Sequence, residues 1–265
     1  MLIRLLKYDL KKIIKFLTVF FVLALFFGVL TRIFGAIDDS LAVTIIKGIC
    51  NGTTISMMFS LLINCFMRSW VLFRASLFGD ESYLTHTLPI DRKTHYTAKA
   101  CTAAISILFC MVSILIVFFT TYWTKAFRDL VMIPLEPLAE YLGVSVWGIL
   151  IVMLLVLFLE FFYAVQIGFT GILIGHRFLQ KKIVFSVIFG FAGYMACQIL
   201  TLLGMLAIGM FDAEFFKLFK TNDLLAFKPE TIFSIVAIGI AFYAFFCIAA
   251  FFVNVKLLKK GVNVE

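Results

Sequence analysis

Charge is scarce in this 265-residue sequence: Asp, Glu, Lys and Arg together make up 14%, where a soluble domain carries about 25%. Proline is rare, with four residues, and there are three histidines, His86, His95 and His176. Apolar residues reach 63%, 33 of all residues are Phe, and the mean hydropathy is +1.11. Even a domain of ~300 residues buries only about 75% of its extended surface, so a water-soluble core cannot hide this much apolar area. A soluble enzyme, a nucleic-acid-binding domain and a disordered chain are excluded together, and no nucleic-acid partner is expected.

Other absences narrow the chemistry. No Gly-x-x-x-x-Gly-Lys-Ser/Thr run is present, so the chain has no such loop to cradle ATP phosphates. No His-Glu-x-x-His or other metal-ligand spacing occurs, and the three histidines read as loop residues, so no metal site is expected. No serine or histidine carries a nucleophile motif. The six cysteines, Cys50, Cys65, Cys101, Cys110, Cys197 and Cys247, form no Cys-x-x-Cys pair and read as small apolar residues.

Present instead are long uncharged runs. A bilayer core of about 30 Å takes about 20 apolar residues as helix, and backbone groups in lipid must be satisfied within the segment. Six spans are expected, at about 16–37, 45–67, 100–124, 141–175, 183–211 and 231–255. The fold class is therefore an all-α membrane protein, read as one transmembrane domain over 1–265 with no boundary or internal repeat. The first span is too long for the apolar region of a signal peptide and is taken as retained.

Even-numbered spans put both ends on one side. That side then holds 16 basic and 5 acidic residues, against 7 basic and 9 acidic on the other. Basic loops face the cytoplasm, so both termini are expected there. Residues 1–15 place Ile3, Leu6, Leu10, Ile13 and Ile14 on one helical face and Arg4, Lys7, Lys11 and Lys15 on the other. This reads as a basic amphipathic helix lying on membrane lipid.

The longest cytoplasmic loop is 68–99. Asp80 and Glu81 follow Gly79 as a helix start, and Pro89 ends the helix by about Leu88. A short helix, Asp80–Thr87 (Asp80, Glu81, Ser82, Tyr83, Leu84, Thr85, His86 and Thr87), is expected on the cytoplasmic face. With Leu77 and Phe78 it would offer an apolar surface to a partner protein or, equally, to the lipid interface, where Tyr is common. The loops at 125–140 and 211–230 read as outer segments, the second as a short amphipathic helix. Glu160 is the one acid inside a span, where a charge costs at least ~2.5–3.5 kcal/mol; it should face protein or water, or be protonated. Gly171 and Gly175 form a Gly-x-x-x-Gly pair suited to close helix packing. Asn51, Thr53, Thr54 and Asn64 are expected to hydrogen-bond across helices.

The run Ser76-Leu77-Phe78-Gly79-Asp80-Glu81-Ser82-Tyr83-Leu84-Thr85-His86-Thr87-Leu88-Pro89-Ile90, together with the basic N-terminal helix and six spans, resembles the permease subunit of type-two ABC exporters, of the small kind found in Gram-positive bacteria. That resemblance implies a multi-pass plasma-membrane protein that is not itself an enzyme. Two permeases, of the same or a related chain, would work with two copies of a separate ABC ATPase. ATP and Mg2+ would be bound by that partner and no cofactor by this chain. It further implies that Asp80–Thr87 is the ATPase-docking helix and that the substrate is amphipathic or hydrophobic, such as an antimicrobial or toxin-like peptide. A non-transporting sensor or assembly factor is the rival reading. An intramembrane enzyme ranks last, because only one acid lies at membrane depth.

Overall fold

The computed structural model describes residues 2–37, 40–79, 82, 91–178, 180–211 and 228–260. Among these, seven helices and no strands occur: α1 (Leu2–Phe34), α2 (Leu41–Phe78), α3 (Arg92–Tyr122), α4 (Lys125–Leu142), α5 (Val146–Gly175), α6 (Lys182–Phe211) and α7 (Pro229–Lys259). All except α4 are long and apolar enough to cross a membrane. The protein is an all-α, multi-span membrane protein. The uncharged runs already dictate this, because helices satisfy every backbone group locally in a solvent that cannot.

The chain divides into two compact units, Met1–Leu130 and Val131–Glu265, where the sequence reads as one domain. The boundary falls inside α4, so no loop or change of composition marks it. In the first unit α1 packs against both α2 and α3. Pairs such as Phe16 with Arg68 make α2 antiparallel to α1, and Asp9 with Lys99 makes α3 parallel to it. The second unit follows the same plan. There α5 packs against both α6 and α7; α6 runs antiparallel to it, with Glu160 beside Tyr194 and Gly175 beside Ser186. Helix α7 runs parallel, with the Asn254 side-chain amide donating to the Gln166 carbonyl at 3.0 Å.

Helix α1 corrects the expectation of a separate interfacial helix over 1–15. It runs unbroken from Leu2 to Phe34. No Gly or Pro precedes Gly28, so nothing stops the helix where the first span begins. Arg4, Lys7, Lys11 and Lys15 are exposed along its first turns. The buried stripe of the same helix is Asp9, Ile13, Leu17, Ala24, Gly28 and Thr31. The basic segment is a continuation of the span, and turning into the membrane plane would need a break that α1 lacks.

Helix α2 likewise runs past the expected end of its span. Ser40 caps it by accepting from the Val43 N–H, and no Gly or Pro lies between Gly52 and Gly79. At ~1.5 Å per residue it is roughly 57 Å long, nearly twice a hydrocarbon core of about 30 Å. The expected loop 68–99 is therefore mostly helix, with only 79–91 between α2 and α3.

The third difference is α4, expected as an outer loop between two spans and containing Pro134 and Pro137. Both prolines lie inside the helix. The Thr124 hydroxyl caps its start by accepting from the Phe127 N–H, and Gly143, in the left-handed region at φ 65°, follows its end. Each proline removes one backbone bond and crowds a carbonyl; the mostly exposed α4 leaves those carbonyls to other donors. Of the expected amphipathic segment at 211–230, residues 212–227 lie outside the described residues, Phe211 ends α6 and Pro229 begins α7.

Small residues set a close contact between α5 and α6. A Cβ added to Gly171 would come 2.5 Å from the Gly190 backbone nitrogen, and one on Gly175 would overlap Ser186. The Gly-x-x-x-Gly pair thus packs as expected, against a small-residue patch on α6. We expect Gly171→Leu to separate α5 from α6 and lower stability by about 1–3 kcal/mol, as overpacking does. Gly239→Ala, which points into open space, should leave it unchanged. Thermal unfolding of the two variants in detergent checks this; equal melting would contradict the contact.

Candidate functional site

Three places gather polar side chains. The first is the connection between α2 and α3. Of the expected docking helix, Asp80, Glu81, Tyr83, Leu84, Thr85, His86 and Thr87 lie outside the described residues. Ser82 is described: it is fully buried, and its N–H donates to the Gly79 carbonyl at 2.8 Å. Leu77 and Phe78, expected to join the docking surface, sit in the last turn of α2 and are each 3% exposed. They anchor the connection to its own unit and are not offered to a partner. Phe73, one turn earlier, meets the edge of Tyr96 on α3 with ring centres 6.2 Å apart.

The second place was missed by the sequence reading. Lys99 Nζ lies 2.8 Å from Asp9 Oδ2, both side chains nearly buried, joining α3 to α1. Asp9 is the one acid among the first fifteen residues, and it shares the buried stripe with Ile13 and Leu17. An acid at a core position of an amphipathic helix was the available signal. His95, read as an exposed loop residue, is buried on α3 one turn before Lys99. The Arg68 guanidinium stacks 3.8 Å from the Phe16 ring centre at this same end of the unit. At the opposite end Arg32 donates to the Thr120 carbonyl at 2.8 Å, and the Tyr122 hydroxyl donates to Asn51 Oδ1 at 2.6 Å. Asn51 therefore bonds across helices as expected. Thr53, Thr54 and Asn64 instead donate back to their own helix, because a carbonyl one turn earlier is always within reach of a short side chain.

The third place is around Glu160, at the middle of α5 and half-buried. The Tyr194 hydroxyl on α6 donates to its Oε1 at 3.3 Å. The Tyr243 hydroxyl on α7 lies within electrostatic reach of the same carboxylate, and the Gln198 amide lies beside both tyrosines. Behind them Tyr163 is buried, its ring centre 5.8 Å from Tyr194, 6.1 Å from Tyr243 and 5.8 Å from Phe246. The expectation that Glu160 faces protein is met on one side, and three helices contribute to that contact.

His176 is a further departure from the loop reading: it is buried at the end of α5. Ser186 Oγ lies 3.4 Å from its Nδ1, a spacing that invites a nucleophile–base reading. The same Nδ1 is 2.9 Å from the Ile172 carbonyl, so in a neutral ring it carries the proton and cannot accept one from serine. Ser186 donates to the Lys182 carbonyl at 2.8 Å. The pair is packing between α5 and α6. Among the described residues no group of three His, Cys, Asp or Glu side chains could hold a metal ion. Four cysteines are buried, and Cys101 and Cys197 are half-buried.

Comparison of the chain with protein-family models, with curated proteins and with solved structures finds no match.

The Asp9–Lys99 pair yields a test. Removing one partner of a buried ion pair strands the other charge and costs about 3–5 kcal/mol, whereas replacing both by apolar residues is close to neutral. Lys99→Met alone should therefore lower the melting temperature strongly, and adding Asp9→Leu should restore most of it. A single variant that melts like the unaltered chain would show that the pair is not desolvated.

Proposed function

We propose that the chain is the permease subunit of an ATP-driven exporter of the type-two ABC class, in the plasma membrane with both termini cytoplasmic. Two permeases, identical or related, would work with two copies of a separate ATPase subunit, which binds ATP and Mg2+; this chain hydrolyses nothing. The substrate is amphipathic or hydrophobic, with an antimicrobial or toxin-like peptide as the class to test first. The resemblance of Ser76–Ile90 to the docking run of such permeases motivates the reading.

The observation that carries it furthest is at the end of α2, around Leu77, Phe78, Gly79 and Ser82. Two helices longer than a bilayer, α2 and α3, meet at this connection. Ser82 is buried against Gly79, and Leu77 and Phe78 are packed into the fold. A force on Asp80–Thr87 would reach the chain between these two helices and tilt α2 and α3. Helix α1, joined to α3 by Asp9–Lys99 and to α2 by the Phe16–Arg68 contact, would follow. The exposed basic face of α1, Arg4, Lys7, Lys11 and Lys15, suits contact with anionic lipid or an acidic surface. Phe-rich faces would meet the substrate.

Replacing Asp80 and Glu81 by alanine should uncouple the system: ATP hydrolysis in native membranes persists while substrate export falls at least ten-fold. Undiminished export by the double variant would show that this connection does not transmit the power stroke.

A further inference from the structure

Glu160 poses an electrostatic problem that its own unit does not solve. Its one hydrogen bond among the described residues is the 3.3 Å bond from Tyr194, while a carboxylate offers about four acceptor positions. Among the described residues no lysine or arginine pairs with it. Glu160 is the only charged residue on α5. On α6 the one charged residue is Lys182 at the start, and on α7 the nearest basic residue is Lys256. Lys256 is about 20 Å from Tyr243 along the helix.

Among the described residues, the side chains gathered at the carboxylate are neutral: two tyrosine hydroxyls and the Gln198 amide beside them. The Tyr194 hydroxyl bonds the carboxylate, the rings of Tyr194 and Tyr243 stand in one aromatic cluster with Tyr163 buried behind them, and aromatic rings have faces of negative potential that attract a cation. Tyr194, Gln198 and Tyr243 are half-buried like Glu160, so the cluster opens at the surface of its unit. A divalent metal ion is a poor match, because it takes 6–8 oxygen ligands in the case of calcium, and one carboxylate cannot anchor that shell. An organic ammonium ion fits: one charge, apolar flanks, and an affinity for aromatic faces. Phe191, Met195 and Ile199, exposed on α6 within one turn of Tyr194 or Gln198 along the helix, offer a surface to an apolar tail.

We propose that Glu160, with the Tyr194 and Tyr243 hydroxyls and the rings behind them, binds the ammonium group of an amphipathic amine whose apolar part lies along α6. A lipid headgroup amine and a lysine-bearing amphipathic peptide share this chemistry. The inference deepens the exporter reading and rests on it for what binding leads to. Binding itself needs no ATPase, so failure here and failure of that reading are separate events.

The test is binding of radiolabelled dodecyltrimethylammonium to the full chain in dodecyl maltoside, an uncharged detergent. Saturable binding is expected, weakened at least ten-fold by Glu160→Gln and substantially retained in Glu160→Asp, which keeps the charge. Tyr243→Phe, which keeps the ring, should bind better than Tyr243→Leu. Gel filtration reports whether each variant is folded; if Glu160→Gln is not, the Tyr243 pair carries the test. Displacement of the probe by phosphatidylethanolamine would assign the lipid source, and displacement by a lysine-containing amphipathic peptide the peptide source. No saturable binding, equal binding by Glu160→Gln, equal binding by the two Tyr243 variants, or displacement by neither competitor would overturn the proposal.

Discussion

Lipid tails are as apolar as leucine, so helices in a bilayer gain little from burying one apolar face against another. Side-chain shape and a small number of polar bonds must then decide which helices pack and where. Both units depend on this constraint. Around α5 the decision falls to Gly171 and Gly175, which let the backbone of α6 approach to a distance no side chain would permit. The Asn254 amide then fixes α7 by reaching the Gln166 carbonyl. Around α1 it falls to Gly28, where an added Cβ would overlap the Thr121 hydroxyl, and to the Asp9–Lys99 pair. Large apolar residues elsewhere, such as Val187, Phe191 and Leu203 on α6, stay exposed within the chain.

The spans were legible because hydropathy and backbone satisfaction act on each segment alone. Where uncharged runs exceed the bilayer core, only a helix is possible, and the six expected spans coincide with six helices. Their ends were less legible. Arg68 and Arg74 close the apolar run of α2, but charge does not end a helix; the absence of Gly and Pro up to Gly79 carries it on. The reverse holds for α4, a polar stretch between spans that was read as a loop, where a Thr124 cap and an exposed setting allow a helix despite two prolines. The division into two units is carried by tertiary contacts, and no local pattern records it.

Of the polar sites, Glu160 was visible as a single charge in an apolar run, but its partners Tyr194, Gln198 and Tyr243 come from helices distant in sequence. Asp9 and Lys99 were hidden for a different reason. Each lies in a charged segment, so neither stands out by composition, and only the helical register shows that Asp9 occupies a core position. His95 and His176 were read as loop residues because polarity marks loops on average; both are buried where helices cross. The apolar Leu77 and Phe78 had an ordinary explanation in core packing, which the loop reading passed over.

The exporter reading places force on one end of the first unit and leaves the second unit to supply the polar contact at membrane depth. Its central claim is that a separate ATPase drives this chain through residues 80–87. The most direct measurement is purification of the chain from its native membrane in mild detergent, with identification of the proteins that accompany it. The account predicts a near-stoichiometric ATPase subunit with ATP hydrolysis, lost when 80–87 is replaced by a Gly/Ser linker. A chain that purifies alone and without hydrolysis would contradict it and favour a non-transporting membrane protein.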